Sequence, residues 1–335
     1  MLIEIRKDIF ENSNFDELNF LIRLLSYKGR YSFFVNIRAV KGVSNFEKLS
    51  ELDKSHIEAQ FNKTILESTN PDLIVTQDND TVAYSLNEAI SFLQQPVIIV
   101  VENSLNDGHF VRTIVKHFDK TGLLIRHLEN NWLKLGNAGG KSNFINFLSG
   151  EMESFKSLLK PNNQLLRFFV IADSDKKSPN TSVGKQKLIT FLEVNKIPNQ
   201  YHILEKREME NYLPDETIDS ILDNRVFIDA YLRLSPIQKD YFDLEKGFDR
   251  NKKFEDLADE IKNLYEDISN VDKKIFRKEN LVKKYKNQGQ SFKTEFPKLF
   301  HHPTVTKKTL LKRCKHHTGN PNELPDLVEK IAKLL

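Results

Sequence analysis

Two carboxylates with one residue between them close a short apolar run in Arg167-Phe168-Phe169-Val170-Ile171-Ala172-Asp173-Ser174-Asp175. Residues two apart in an extended segment face the same side. Asp173 and Asp175 would then repel each other unless a cation lies between them, and hard oxygen ligands suit Mg2+ or Mn2+. A third acid, Glu102, follows a second apolar run, Val97-Ile98-Ile99-Val100-Val101. Carboxylates holding one or two such ions can make a water nucleophilic at neutral pH and stabilise a leaving oxygen, which is what phosphodiester cleavage requires. Lys141 and Lys206 are the lysines placed to neutralise a phosphate, although a solvated surface position is the ordinary fate of either. The Asp-x-Asp pair by itself also fits a helix cap or an Asx turn after a strand.

The elements that must position these acids follow from pattern. Phe168–Ala172 and Val97–Val101 are brief, aromatic or β-branched and followed by turn residues, as buried strands are. Between and after them the spacing predicts helices at His109–Phe118, Asn143–Leu159 and Lys185–Asn195, and strands at Leu123–Arg126 and Gln200–Leu204. Strand alternating with helix means βαβ units and a mostly parallel sheet, whose ligands sit beyond the carboxyl ends of its strands. Upstream, helices are expected at Asp16–Tyr27, Phe46–Leu52, His56–Leu66 and Ser85–Gln94, with strands at Tyr31–Val40 and Asp72–Val75. Downstream, helices are expected at Asp215–Leu234, Phe254–Ile268 and Leu324–Leu335. The resulting division is an α+β accessory domain at residues 1–92, an α/β catalytic domain at 93–216 and a mainly helical, basic region at 217–335.

A glutamate after a first strand, a turn, and a later strand ending in Asp-x-Asp resembles the TOPRIM domain of topoisomerases, primases and OLD-type nucleases. The first motif reads Val101-Glu102-Asn103-Ser104-Leu105-Asn106-Asp107, with Asn103 in place of the family's glycine and Asp107 one position late. Gly139-Gly140-Lys141-Ser142-Asn143 resembles the Gly-Gly-Lys turn of OLD-type nucleases. Glu208-Met209-Glu210-Asn211-Tyr212-Leu213 resembles a segment of TOPRIM proteins from prokaryotic anti-phage systems. The resemblance covers about a third of the chain, Pro96 to Pro214. It implies a TOPRIM-like, mostly parallel sheet flanked by helices. It also implies a Mg2+ or Mn2+ ion on Glu102, Asp173 and Asp175, with Asp107 as a further ligand. Glu208 or Glu210 would serve a second ion or orient Lys206. The activity implied is metal-dependent cleavage of DNA or RNA in anti-phage defence. A separately encoded ABC-type ATPase is the implied partner, and homo-oligomerisation is left open.

Composition agrees with that class. The chain has 335 residues, 39% hydrophobic and 29% charged, which suits a soluble protein, long for one core and short for three, so two domains are expected from length alone. No apolar run is long enough to span a bilayer, and the start lacks a secretory core. A single cysteine, Cys314, fits a reducing cytoplasm. The net charge of +3 is unevenly placed: Lys273 to Lys315 holds 14 Lys plus Arg against Glu279 and Glu295, so that segment is +12 and the rest −9. Lys283, Lys284, Lys307, Lys308, Lys312 and Arg313, with Lys141, are the expected phosphate contacts. Tyr285, Phe292, Phe296, Phe300 and His301 interleave with them.

Four other readings compete. Gly136-Asn137-Ala138-Gly139-Gly140-Lys141-Ser142 is one residue short of a nucleotide-binding phosphate loop. Asp-x-Asp also serves metal-dependent glycosyltransferases, which leaves Glu102 and the basic region unexplained. Cys314, His316 and His317, with His301 and His302, lack the second cysteine pair of a structural zinc site. The last reading is a catalytically silent TOPRIM-like subunit that binds nucleic acid or holds a complex together.

Overall fold

The computed structural model describes residues 1–67, 70–78, 82–140, 143–158, 166–197, 199–279, 281, 291–315 and 319–335. Among these, two all-parallel sheets form, so the α/β class holds for the first unit as well as the second. The first sheet comprises β1 (Leu2–Ile5), β2 (Ser32–Val35) and β3 (Leu73–Val75), in the order β2-β1-β3. Its central strand, β1, alternates half-buried positions with buried Ile3 and Ile5. Parallel neighbours need long crossovers, and the helices Phe15–Ser26 and Glu51–Glu67 supply them. This unit was expected to be α+β; the short β1, hidden in an unremarkable N-terminus, makes it parallel.

The second sheet has β4 (Val97–Val101), β5 (Leu133–Asn137), β6 (Phe168–Ala172) and β7 (Tyr201–Ile203), ordered β5-β4-β6-β7. Register places Ile99 beside Phe169 and Ala172 beside Ile203. Strands β4 and β6 are apolar throughout because both faces are covered. Val97, Ile99 and Val101 pack with Phe110 and Ile114 of the helix Asp107–Phe118 on one side. Val100 and Val170 pack with Phe144, Leu148, Leu188 and Leu192 on the other. The first of these clusters runs on into Phe227, Phe242, Phe276, Leu310 and Leu327. The C-terminal helices therefore complete the core of this sheet.

Several expected elements differ. Leu123–Glu129 is a helix, not a strand, entered through Gly122 in the left-handed region (φ 69°). The strand expected over Tyr31–Val40 stops at Val35, where its partner β1 ends, and Ile37–Val40 turns helical. Asp215–Leu234 is two helices, Asp215–Asp219 and Arg225–Arg233, split before Asn224 at φ 51°. Phe254–Ile268 breaks at Leu257, which is extended and buried, leaving a 3-10 turn and the helix Asp259–Leu264.

The expected boundary at residues 92–93 falls inside the helix Leu86–Gln94. That helix ends against three donors. Tyr31 Oη donates to the Leu93 carbonyl (2.9 Å), Arg30 to those of Gln94 and Gln95 (3.3 and 3.1 Å), and Arg167 to that of Gln95 (2.9 Å). Orphan carbonyls at a helix C-terminus favour cationic donors. Arg167 also donates to Tyr31 Oη at 2.6 Å, so the two sheets are joined through one capped helix end.

Candidate metal site at the carboxyl edge of the second sheet

From β4 the chain crosses to β5 on one side, while β6 and β7 lie on the other. The gap between the ends of β4 and β6 is thus the topological switch point, where open α/β sheets leave a crevice. Glu102 leaves the end of β4 and Asp173 the end of β6. They open onto a cavity of about 390 Å³, lined also by Asp107, Glu208, Glu210 and Glu245, with Lys246 and Lys293.

Local bonding explains each placement. Asn103 Oδ1 accepts from the amides of Leu105 and Asn106 (3.0 and 3.1 Å), an Asx turn in the place of the expected glycine. Asp107 Oδ2 accepts from Asn103 N at 2.8 Å, which brings its carboxyl to the cavity from the first turn of a helix. Asp173 Oδ1 accepts from Met209 N at 3.0 Å. In the segment that follows, Met209, Asn211 and Tyr212 are buried while Glu208 and Glu210 face the cavity. Asn211 pins the segment by donating to the carbonyls of Lys239 (2.8 Å) and Phe242 (3.0 Å).

The acids are electrostatically crowded. Burial, then Glu210, Glu208, Asp107 and Asp175, hold Asp173 well above the usual carboxylate range. Burial and Glu208 push Glu210 up to about 8, and burial carries Asp107 to about 6. Such an all-oxygen set, short of positive charge, fits a hard divalent cation. Even so, among the described residues no three His, Cys, Asp or Glu side chains are grouped tightly enough to hold one ion. The acids ring the cavity instead of converging on a point.

Asp175 accounts for part of that. Its backbone is left-handed (φ 55°), so the same-side rule for extended chains does not apply. Its carboxyl turns to Lys185, whose Nζ lies 3.1 Å from Asp175 Oδ2 and 3.4 Å from Glu102 Oε2. A Cβ on Gly184 would stand 2.7 Å from that of Asp175. Gly184→Ala should therefore displace the Asp175 loop and cost about 1–3 kcal/mol, measured by denaturant unfolding. Unchanged stability would mean the loop yields freely.

Two expected contacts lie elsewhere. Lys206 does not reach the cavity: it is fully buried, its ammonium pairs with Asp240, and burial and Arg313 push its pKa down to about 8. Lys206, two positions on from buried Leu204, is drawn against the sheet end by Ser174 Oγ, which donates to its carbonyl (2.7 Å). Arg313, also buried, pairs with the same Asp240 at 2.6 Å and offers no surface charge. Lys307, Lys308 and Lys312 are exposed, Lys312 pairing with Glu216 at 3.0 Å. Lys141, Ser142, Lys283, Lys284, Tyr285, His316 and His317 lie outside the described residues. Phe292, Phe296 and Phe300 are buried, so they belong to the core.

No family model, no curated protein and no solved structure matches this chain. Sequence reasoning missed Lys185 and Glu245. Lys185 stood at the start of an expected helix, while Glu245 lies in an irregular stretch with no periodicity to mark it. The phosphate-loop reading loses its donors: the Gly139 and Gly140 amides donate to the Glu102 carbonyl at 3.1 and 3.3 Å. Cys314 is buried, with burial pushing its thiol up to about 12, an inert core sulfur. Among the described residues, no helix is long and apolar enough to cross a membrane.

Proposed function

We propose that this chain is a divalent-metal-dependent nuclease of TOPRIM type, using Mg2+ or Mn2+. The observation that carries the reading is the gathering of Glu102, Asp107, Asp173, Glu208, Glu210 and Glu245, from distant parts of the chain, around one cavity at a switch point. Bound ions there would activate water and stabilise the leaving oxygen of a phosphodiester. Glu102, Asp173 and the Glu208/Glu210 pair are the residues to hold them. Asp107, anchored on the Asn103 amide, fixes the helix that walls the cavity. Exposed Lys246 and Lys293 at the cavity take the phosphate-neutralising role first expected of Lys206. Exposed Lys307, Lys308 and Lys312 are the described candidates for tracking a nucleic-acid backbone.

The resemblance to anti-phage TOPRIM proteins extends the proposal to cytoplasmic defence alongside a separately encoded ABC-type ATPase. The test is cleavage of plasmid and single-stranded substrates with Mg2+ or Mn2+ by the wild type and Glu102→Ala. Loss in the variant supports the reading. A wild type that cuts nothing, with or without an ATPase partner, refutes it. One observation favours the second reading, a silent binding subunit: Lys185 already occupies the space between Glu102 and Asp175.

A further inference from the structure

Lys185 precedes the helix Gln186–Val194, and its side chain is only 4% exposed. Its ammonium lies 5.9 Å from the centre of the buried Phe144 ring. The tip meets Glu102 Oε2 at 3.4 Å and Asp175 Oδ2 at 3.1 Å. One ammonium thus links acids that leave the ends of two adjacent strands, the position a shared metal ion would take. Its backbone is held firmly. Gly184 N donates to the Ser174 carbonyl at 2.8 Å, and the Lys185 carbonyl accepts from Ile189 N at 3.1 Å. Gly184 leaves room for Asp175 to approach, as its own Cβ would not. A lysine ammonium is a compact point charge with three donors, able to bond two carboxylates at once but carrying half the charge of a divalent ion.

We propose that Lys185, anchored on Asp175, is an internal counter-cation that competes with a divalent ion for Glu102. The inference rests on the metal-dependent reading above and deepens it. Metal entry then requires the ammonium to release Glu102, so affinity for the ion is set low by the chain itself. The displaced ammonium remains beside the cavity, close to where a phosphate would lie. The arrangement also accounts for the acids ringing the cavity without closing on one point: Asp175 and Glu102 are already drawn to Lys185.

The experiment is a Mn2+ titration of the full chain, followed by electron paramagnetic resonance, on wild type, Lys185→Met, Lys185→Gln and Glu102→Ala. Competition predicts that Lys185→Met and Lys185→Gln bind Mn2+ about 10–100-fold more tightly than wild type. It also predicts a lower melting temperature in chelator for Lys185→Met and a larger rise on adding Mn2+. Lys185→Gln keeps one donor and preserves the test where the Met variant does not fold. Binding by the variants with none by wild type also supports the inference, the ammonium then standing in for the metal outright. Equal or weaker binding by the variants, with wild-type binding lost in Glu102→Ala, overturns competition while leaving the metal site in place. Wild type and both Lys185 variants all failing to bind overturns it together with the metal site.

Discussion

Asp173→Asn is expected to abolish metal-dependent cleavage while making the ion-free protein more stable. The substitution preserves shape, and its amide oxygen can still accept from Met209 N, as Asp173 Oδ1 does at 3.0 Å. It replaces an acid whose ionised form burial and its neighbours disfavour, in a site that already holds Glu102, Asp107, Glu208, Glu210 and Glu245. Losing a carboxylate that holds the ion should lower cleavage by about a thousandfold, the several kcal/mol that such an ion supplies. In chelator the same loss relieves repulsion, and the melting temperature should rise by about 2–5 °C. A fall in both activity and stability would mean that Asp173 is a structural acid.

The pH dependence gives the same result a sign. Glu210 is raised from 4.5 to about 8 and Asp107 from 3.8 to about 6. Between those limits the folded protein keeps protons that the unfolded chain has released, so stability falls as pH rises. This contribution is fully present below about pH 4 and is lost as pH climbs through 8. The wild type in chelator should therefore melt at lower temperature at pH 8 than at pH 5.5, and Asp173→Asn should flatten the decline. Because metal binds the deprotonated acids, Mn2+ should raise the wild-type melting temperature more at pH 8 than at pH 5.5.

Asp240→Ala carries the largest expected loss of stability. Lys206 and Arg313, both buried, share the Asp240 Oδ1 atom. Removing it leaves two cations without a carboxylate in the core. Breaking a buried pair in this way costs about 3–5 kcal/mol, or roughly 10 °C in melting temperature. Adding Lys206→Met to Asp240→Ala should recover part of the loss, because an apolar side chain tolerates burial that an unpaired ammonium does not. A double variant no more stable than Asp240→Ala would show that the burden lies on Arg313.

The two strands that end in the key acids were legible because burial on both faces leaves an unbroken apolar run, as in Val97–Val101 and Phe168–Ala172. Leu123–Arg126 misled because four apolar-rich residues fit either element, and the left-handed Gly122 that starts the helix is a backbone fact. Glu102, Asp107, Asp173, Glu208 and Glu210 were readable as acids near strand ends. Depth was not: nothing in the letters at 206 or 313 separates a lysine or arginine on the surface from one turned onto Asp240. Asp175 was misplaced by a rule for extended chain that its left-handed backbone breaks. The positive excess from Lys273 to Lys315 counts charges correctly, yet a charge total cannot say which side chains are spent on internal pairs.

The capped helix end between the sheets has a mechanical meaning. Arg167 immediately precedes β6 and is bonded to both Tyr31 and the Gln95 carbonyl. Six residues further on, just past the end of that strand, comes Asp173. The N-terminal unit is thus geared to the strand that carries a key acid. A load that tilts the first sheet must either tear those bonds or pull β6 along its axis, and with it the spacing of the carboxylates at its far end.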